Sequence, residues 1–254
     1  MSDLKTRLAA LGCRFIAGNL EDIIAYATKK RLGPEPLLEY IADIEERDRA
    51  KKSLERRTTR SRVGKFKPIA DYDWSWPEFV DRQNVESAVR LDFLKASRNV
   101  VLVAPQGLGK TMIAQNIAHQ AVLAGHSVLM LSAAQLLLDL GAQDSARRLD
   151  QRLRFYSSVS LLVLDEVGYL SFDSRNADLL FQVVSRRYEK KSLVLTTNLS
   201  FEEWPSVFPN ATCATALIDR VIHHADIIAI RGESYRLREA QLAQKAKLRT
   251  TPEQ

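Results

Sequence analysis

One short string of residues constrains the fold of this chain more than any other feature of the sequence. It runs from Ala104 to Thr111, follows an apolar run at 99–103 and opens an apolar-periodic helix that ends at Gly125. Phosphate-binding loops consist of a glycine, four further residues and then Gly-Lys-Ser/Thr, in this same strand–loop–helix context. Here Gly109, Lys110 and Thr111 match, while Ala104 replaces the leading glycine, which is tolerable if its φ is negative. The string therefore predicts a phosphate-binding site in an α/β domain.

The chemistry of this string follows from its backbone and its two polar side chains. The N–H groups of the loop and of the helix N-terminus attract phosphate oxygens, and the helix dipole adds to that attraction. We expect the Lys110 ammonium to reach the outer phosphates and the Thr111 hydroxyl to ligate Mg²⁺. The residues predicted to bind the nucleotide are Pro105, Gln106, Gly107, Leu108, Gly109, Lys110, Thr111 and Met112.

Polar residues also follow two later apolar runs. Asp165 and Glu166 come directly after the run at 161–164, and open α/β sheets bind ligands at the carboxyl ends of their strands. We expect Asp165 to hold Mg²⁺ through water and Glu166 to be the general base that polarises the attacking water. Asn198, after the run at 193–196, is expected to contact the γ-phosphate and that water; the alternative is that it caps the next helix.

One further string bears on the identity of the nucleotide. Asp165–Gly168 also fits the DxxG string of GTPases, but a GTPase would need an Asn-Lys-x-Asp string later in the chain, and the sequence has none. A GTPase is therefore not expected.

The pattern of apolar residues predicts the fold and the domains. Five apolar runs separated by helical patterns favour a mostly parallel sheet of five strands with helices on both faces. The runs are Asn99–Val103, Ser127–Leu131, Leu161–Leu164, Leu193–Thr196 and Ile227–Ile230. We expect an N-terminal helical domain at 1–65, an aromatic connector at 66–78 and a nucleotide-binding domain at 79–254.

Basic side chains are concentrated in one stretch. Between Arg47 and Lys67 there are ten basic residues and two acidic ones, whereas the whole chain has 37 against 31. Such a segment is typical of a surface that binds a polyanion, although it could also be a solvated helix face. We expect contacts with the phosphates of duplex DNA, largely independent of base sequence. The residues predicted to make them are Arg47, Lys51, Lys52, Arg56, Arg57, Arg60, Arg62 and Lys65.

Other sequence features argue against a membrane span, a secretory signal and a metal or redox site built from the cysteines. No run approaches the ~18 apolar residues of a membrane span, and residues 1–5 lack the apolar stretch of a secretory signal. Cys13 and Cys213 have no metal or redox spacing. We therefore expect a cytoplasmic protein with no membrane partner. His223 and His224 would diverge by about 100° on a helix, so no metal site is expected there.

Four motifs together resemble those of AAA+ ATPases of the initiator and helicase-loader group. They are Ala104–Thr111, Leu161–Glu166, Thr196-Thr197-Asn198 and Leu217-Ile218-Asp219-Arg220. In particular the chain resembles IstB, the insertion-sequence ATP-binding proteins that help transposition, over essentially its whole length. Less specific N-terminal features, such as Glu45-Glu46 and Phe66-x-x-Ile-x-x-Tyr-Asp73, are similar to that family too.

The resemblance implies properties that composition and periodicity do not. It implies a P-loop NTPase sheet in the order 5-1-4-3-2, a small helical N-terminal domain and no C-terminal lid. It also implies homo-oligomers that form with ATP and that wrap and bend DNA, with a transposase as partner. Arg220 matches the arginine finger that acts on ATP in a neighbouring subunit; otherwise it is a helix-surface arginine paired with Asp219 or Asp226. Arg231 and Arg236 could sense nucleotide or contact DNA.

We therefore expect a DNA-stimulated ATPase that oligomerises on duplex DNA and assists a transposase in selecting or capturing target DNA for an insertion sequence. The alternative with the same ATPase core is a DnaC-like replicative helicase loader, whose N-terminal helices would bind a helicase instead of DNA. A small-molecule kinase would need a second substrate pocket, and a non-hydrolysing DNA-binding module would release no phosphate.

Overall fold

The computed structural model describes residues 2–169, 172–209 and 211–241. The side chain of Cys213 and residues 242–254, which the prediction of a missing lid concerns, lie outside the described residues. The chain forms two compact units, residues 1–56 and 57–254. The boundary between the two units, after residue 56, lies before residue 65, where the predicted N-terminal domain ends. Within the described residues, no helix has both the length and the apolar character needed to cross a bilayer.

The N-terminal unit is helical, as its apolar spacing predicts. Its helices are α1 (Ser2–Ala10), α2 (Arg14–Gly18), α3 (Leu20–Lys30) and the first part of α4 (Pro34–Ser61). Its core includes Ile16, Leu20 and Ile23. The buried Glu45 carboxylate accepts hydrogen bonds from the Ile16 N–H at 3.3 Å and from Arg49 Nε at 3.0 Å. Glu45 therefore joins α2 to α4.

The larger unit alternates strands and helices. A 3₁₀ turn at Ile69–Asp71 precedes β1 (Phe79–Val80), α5 (Arg82–Val89), α6 (Asp92–Lys95), β2 (Asn99–Val103) and α7 (Lys110–Leu123). There follow β3 (Val128–Ser132), α8 (Ala133–Gly141), α9 (Ala146–Ser158), β4 (Leu161–Val167) and α10 (Ser174–Arg187). The last elements are β5 (Ser192–Thr197), α11 (Trp204–Val207), α12 (Ala211–Ile222) and β6 (Ala225–Arg231).

The sheet has six strands in the described residues, in the order β1-β6-β2-β5-β4-β3. The prediction of five strands is wrong because the two-residue strand β1 adds an antiparallel edge, pairing Phe79 with Arg231 and Val80 with Ile230. The pairs β6–β2, β2–β5, β5–β4 and β4–β3 are all parallel. A strand of two residues is too short to show periodicity, so the sequence pattern does not reveal it.

The central strands are buried on both faces. Every residue of β5 is buried, and the residues from Leu161 to Leu164 of β4 have no exposed surface. Continuous apolar runs of this kind are typical of parallel strands covered by helices on both sides. The carboxyl ends of these strands therefore form one rigid edge of the sheet.

The segment that links α4 to the sheet is fastened to α7. Asn116 Nδ2 donates to the Lys67 carbonyl at 2.9 Å, and its Oδ1 accepts from the Ile69 N–H at 2.9 Å. The Phe66 ring lies 5.0 Å from the His119 ring, and Arg57 Nε donates to the Val122 carbonyl at 3.2 Å. These contacts explain why the larger unit begins at residue 57, inside α4.

Candidate nucleotide-binding site

The glycines of the phosphate-binding loop are required by backbone conformation and by close neighbours. Gly107 and Gly109 have φ values of 80° and 85°, which L side chains rarely adopt. A Cβ on Gly107 would lie 2.1 Å from Ser234 Oγ, and one on Gly109 would lie 2.6 Å from a ring carbon of Tyr72. Ala104 does not have a positive φ, so an alanine fits the first position of the loop.

Lys110 begins α7 and points back into the loop. Its ammonium donates to the carbonyls of Ala104 at 2.6 Å and Pro105 at 2.8 Å. Burial lowers the pKa of Lys110; the carboxylates of Asp165 and Glu166 oppose that shift, whereas the charge of Arg236 adds to it. The ammonium therefore lies within the field of both predicted carboxylates.

Asp165 and Thr111 lie together, as the sequence predicts. Thr111 Oγ1 donates to Asp165 Oδ1 at 3.2 Å, and Thr196 Oγ1 donates to the same oxygen. The Thr196 hydroxyl in turn accepts from the Glu166 N–H at 2.9 Å. Sequence reasoning did not identify Thr196 as a site residue. Its position directly before Thr197 and Asn198 was the one available signal.

An irregularity in β4 determines where the Glu166 side chain lies. The register between β4 and β5 shifts between Leu164 and Val167, and Glu166 has φ 60°. Bulges of this kind re-aim a side chain beside active sites. The exposed Glu166 side chain lines the nucleotide cleft, whereas Asp165 lies behind Thr111.

These residues surround a cleft of about 530 Å³, a size typical of small-ligand sites. The loop residues from Gln106 to Met112 line it, together with Glu166, Thr196 and Asn198. Pro105 does not line the cleft and contributes its carbonyl to Lys110 instead.

Two further segments form walls that sequence reasoning did not assign to the site. The connector contributes Tyr72, whose hydroxyl donates to the Leu108 carbonyl at 3.0 Å; burial raises the pKa of Tyr72 to about 12. It also contributes Trp76, whose Nε1 donates to the Glu233 carbonyl at 2.9 Å. The segment after β6 crosses the loop, where the Tyr235 N–H donates to the Gly107 carbonyl at 3.0 Å. The aromatic content of the connector was the available signal.

The two arginines whose roles the sequence left undecided, Arg231 and Arg236, lie in different places. Arg236 lines the cleft and lowers the pKa of Lys110 by its charge. Arg231 lies on β6, with its guanidinium carbon 5.9 Å from the centroid of the Phe79 ring. Of the two, only Arg236 faces the cleft among the described residues.

Arg220 does not line the cleft of its own chain among the described residues. Its guanidinium carbon lies 4.6 Å from the centroid of the Phe181 ring, and Nη1 donates to the Ala216 carbonyl at 3.1 Å. Asp226 forms its ion pair with Arg98. The alternative pairing of Arg220 with Asp219 or Asp226 is absent from the ion pairs of the described residues.

Most side chains of the basic stretch are exposed, but several of them already contact other groups of the protein. Arg47 pairs with Asp43 at 3.6 Å, Lys52 pairs with Asp48 at 2.7 Å, and Arg57 is engaged with the Val122 carbonyl. The predicted DNA-contacting residues with exposed side chains are Arg47, Lys51, Lys52, Arg56, Arg60, Arg62 and Lys65.

The fold and the cleft define an AAA+ P-loop ATPase. The crystal structure of DnaI superimposes with a TM-score of 0.53 at 19% identity, covering 64% of this chain and 90% of that chain. AMPPCP-bound DnaA from Aquifex aeolicus superimposes with a TM-score of 0.50 at 18% identity, covering 72% and 58%. At these identities the likeness concerns the fold.

The chain belongs to the IstB-like ATP-binding protein family, whose model matches residues 6–243. It is 34% identical over 252 residues to the protein named as the ATP-binding protein of insertion sequence IS21 in Pseudomonas aeruginosa, covering 99% of this chain and 95% of that one. It is 31% identical over 236 residues to the corresponding IS232 protein of Bacillus thuringiensis subsp. berliner, covering 93% and 94%. The resemblance noted from the motifs is therefore confirmed.

Proposed function

We propose that this protein hydrolyses ATP, assembles with other copies of itself on duplex DNA and presents that DNA to a transposase. The observation that carries the proposal is the convergence of Lys110, Thr111 and Glu166 on one cleft, with Asp165 hydrogen-bonded to Thr111 behind it, in a chain that matches insertion-sequence ATP-binding proteins along nearly its whole length.

The residues of the cleft have separable tasks in hydrolysis. The N–H groups at the start of α7 and the Lys110 ammonium would bind the phosphates, replacing the loop carbonyls that the ammonium now contacts. Glu166 would accept a proton from the attacking water as the water oxygen bonds to the γ-phosphorus, while the bond from that phosphorus to the bridging oxygen breaks and ADP leaves. Asn198 would orient that water from the end of β5. Arg236 would neutralise charge on the outer phosphates.

The oxygen atoms of Thr111 and Asp165, beside the phosphate-binding loop, are suitable ligands for Mg²⁺. Thr111 and Asp165 supply a hydroxyl and a carboxylate whose oxygens lie 3.2 Å apart, and Mg²⁺ prefers such hard oxygen ligands together with water and phosphate. Thr111 would ligate the ion directly and Asp165 through water. The ion supplies charge neutralisation between the outer phosphates.

Arg220 would complete the site of a neighbouring subunit. Its side chain has no ionic partner within hydrogen-bond reach among the described residues and lies outside its own cleft. A fixed guanidinium neutralises charge that develops on the γ-phosphoryl oxygens, so hydrolysis would depend on assembly.

The exposed cations of the basic stretch would bind DNA phosphates. Because such contacts carry no base information, binding would be largely independent of sequence. Membership of the IstB-like family favours a transposase as the client, rather than the helicase of a DnaC-like loader.

The test is DNA binding by the purified full chain with and without ATP and Mg²⁺, measured by fluorescence anisotropy of a labelled duplex. We expect ATP to tighten binding and to promote an assembly larger than one chain in sedimentation. Lys110→Ala should abolish ATP binding and this response, whereas Lys95→Ala, an exposed lysine away from the cleft, should behave as the parent. Identical DNA binding with and without ATP would refute the proposal.

The client is tested separately. The transposase encoded beside the gene should be retained by the ATP-bound chain on DNA, whereas a replicative helicase should not. Retention of the helicase alone would favour the loader alternative.

A further inference from the structure

Three side chains that could ligate a metal lie together at the edge of the sheet opposite the nucleotide cleft. His223 and His224 follow α12, and the His224 carbonyl accepts from the N–H of Asn99, the first residue of β2, at 2.8 Å. The expectation that the two rings diverge assumed a helix, and it is wrong because α12 ends at Ile222. In the turn that follows, the ring centroids lie 4.0 Å apart.

Glu189 completes the group from a different element. It follows α10 in the left-handed conformation, with φ 57°, and its Oε1 lies 3.2 Å from His224 Nε2. One ligand atom from each of Glu189, His223 and His224 lies within 4.8 Å of the other two. Throughout 2–169, 172–209 and 211–241, no other trio of histidine, cysteine or acidic side chains is grouped in this way.

Tyr188 fixes one of the two rings. Its hydroxyl is hydrogen-bonded to His223 Nδ1, and the two rings are stacked with centroids 6.0 Å apart. Histidines that bind metals through one ring nitrogen commonly have the other nitrogen held by a hydrogen bond, which orients the ring. With Nδ1 engaged by Tyr188, Nε2 is the nitrogen of His223 left for a metal ion.

We propose that Glu189, His223 and His224 bind a borderline transition-metal ion, with Zn²⁺ as the representative. Two imidazoles and one carboxylate form a ligand set known for zinc, with water at the fourth position. The two nitrogens disfavour Mg²⁺ and Ca²⁺, which prefer oxygen ligands. The ligand atoms already lie within 4.8 Å of one another, so the exposed Glu189 and His224 side chains would need to rotate to complete the site around the held His223 ring.

The ion would brace the two helices that hold Arg220. Glu189 extends α10 and the histidines extend α12, while Arg220 of α12 lies over Phe181 of α10. An ion bound across the two ends would resist their separation. This site is separate from the nucleotide cleft and does not depend on ATP.

The test is calorimetric titration of the untagged, chelator-treated full chain with Zn²⁺. We expect one ion per chain and a rise in the melting temperature that a chelator reverses, since a ligand that binds only the folded state stabilises it. Co²⁺ should bind without the intense near-ultraviolet absorption of a thiolate complex. The absence of that absorption would show that the ion is not bound by Cys13 or Cys213.

Two variants and one matched control decide the assignment. His224→Asn and Glu189→Gln should each weaken Zn²⁺ binding at least ~10-fold, as loss of metal-site residues does. His126→Asn, a histidine outside the group, should bind Zn²⁺ as the parent does. Both altered side chains are largely exposed, and unchanged ATP binding would report intact folding. No binding below about 1 mM Zn²⁺, or equal affinity in all three variants, would overturn the proposal.

Discussion

Thr196 connects the two carboxylates on which hydrolysis is proposed to depend. Its hydroxyl donates to Asp165 and accepts from the backbone N–H of Glu166, so one atom fixes both the metal-side carboxylate and the bulged residue beside it. Thr196 has no exposed surface. Its contribution is therefore positional.

Replacing Thr196 with valine keeps the side-chain shape and removes both hydrogen bonds. We expect the kcat of ATP hydrolysis to fall by roughly 10- to 100-fold, because small displacements of catalytic groups are costly, while the Kd for ATP changes little. Steady-state phosphate release and equilibrium nucleotide binding measure the two quantities. The matched control is Ser192→Ala on the same strand, since the buried Ser192 hydroxyl has no hydrogen-bond partner among the described residues. Equal rates for Thr196→Val and the parent would contradict this role.

The same strand shows what could be predicted from the sequence at the level of single residues. The roles of Gly107, Gly109 and Lys110 follow from a local string, so their positions could be predicted. The role of Thr196 depends on pairing between β4 and β5, which brings residue 165 beside residue 196. Tyr72 meets Gly109 only through the path of the connector. Contacts made by distant segments leave no local pattern.

At the level of elements, α4 is one continuous helix that carries most of the basic stretch proposed to contact DNA. Its exposed cations precede an end that is held to α7 by the Arg57 contact with the Val122 carbonyl. Of the basic residues near that end, Arg56 and Arg60 are exposed. These two are the best-placed candidates to contact phosphate without disturbing the larger unit.

Changing Arg56 and Arg60 together to alanine should weaken DNA binding and reduce its dependence on salt. Each lost phosphate contact lowers the slope of log K against log salt by about 0.9, so we expect a decrease of roughly 2. Anisotropy titrations across a series of salt concentrations measure that slope. The control is Lys29→Ala with Lys30→Ala on α3, two exposed lysines outside the basic stretch. A slope that stays the same in the arginine variant would exclude this helix as the DNA contact.

The bounds of two elements explain why two sequence predictions are wrong: the number of strands in the sheet and the divergence of the His223 and His224 rings. Strand β1 has two residues and was missed because so short a segment has no periodicity. The end of α12 at Ile222 could not be located from apolar spacing, because Val221 and Ile222 continue the helical pattern up to the histidines. The five longer strands contain continuous apolar runs, which is why their positions could be predicted closely.

At the level of the whole molecule, one chain does not supply every group that the proposed reaction uses. Lys110, Glu166 and Arg236 converge on one cleft, whereas Arg220 lies outside it among the described residues. If Arg220 acts on a neighbour, two inactive variants can complement each other.

Mixing Arg220→Ala with Lys110→Ala should therefore restore part of the ATPase activity that each lacks alone. In a mixed assembly, some intact clefts of the Arg220→Ala chain would receive the intact arginine of the Lys110→Ala chain. Phosphate release at constant total protein measures the recovery. As a control, Lys110→Ala mixed with Glu166→Gln should stay inactive, because no cleft in that mixture has both residues. Failure of the first mixture to recover would limit Arg220 to a role within its own chain.

The pairing of β1 with β6 has a consequence for the walls of the cleft. The connector runs directly into β1, and the segment that carries Arg236 leaves directly from β6. Backbone pairing between these two short stretches ties the connector to the segment that carries Arg236. Two walls of the cleft are therefore anchored at the same antiparallel edge of the sheet.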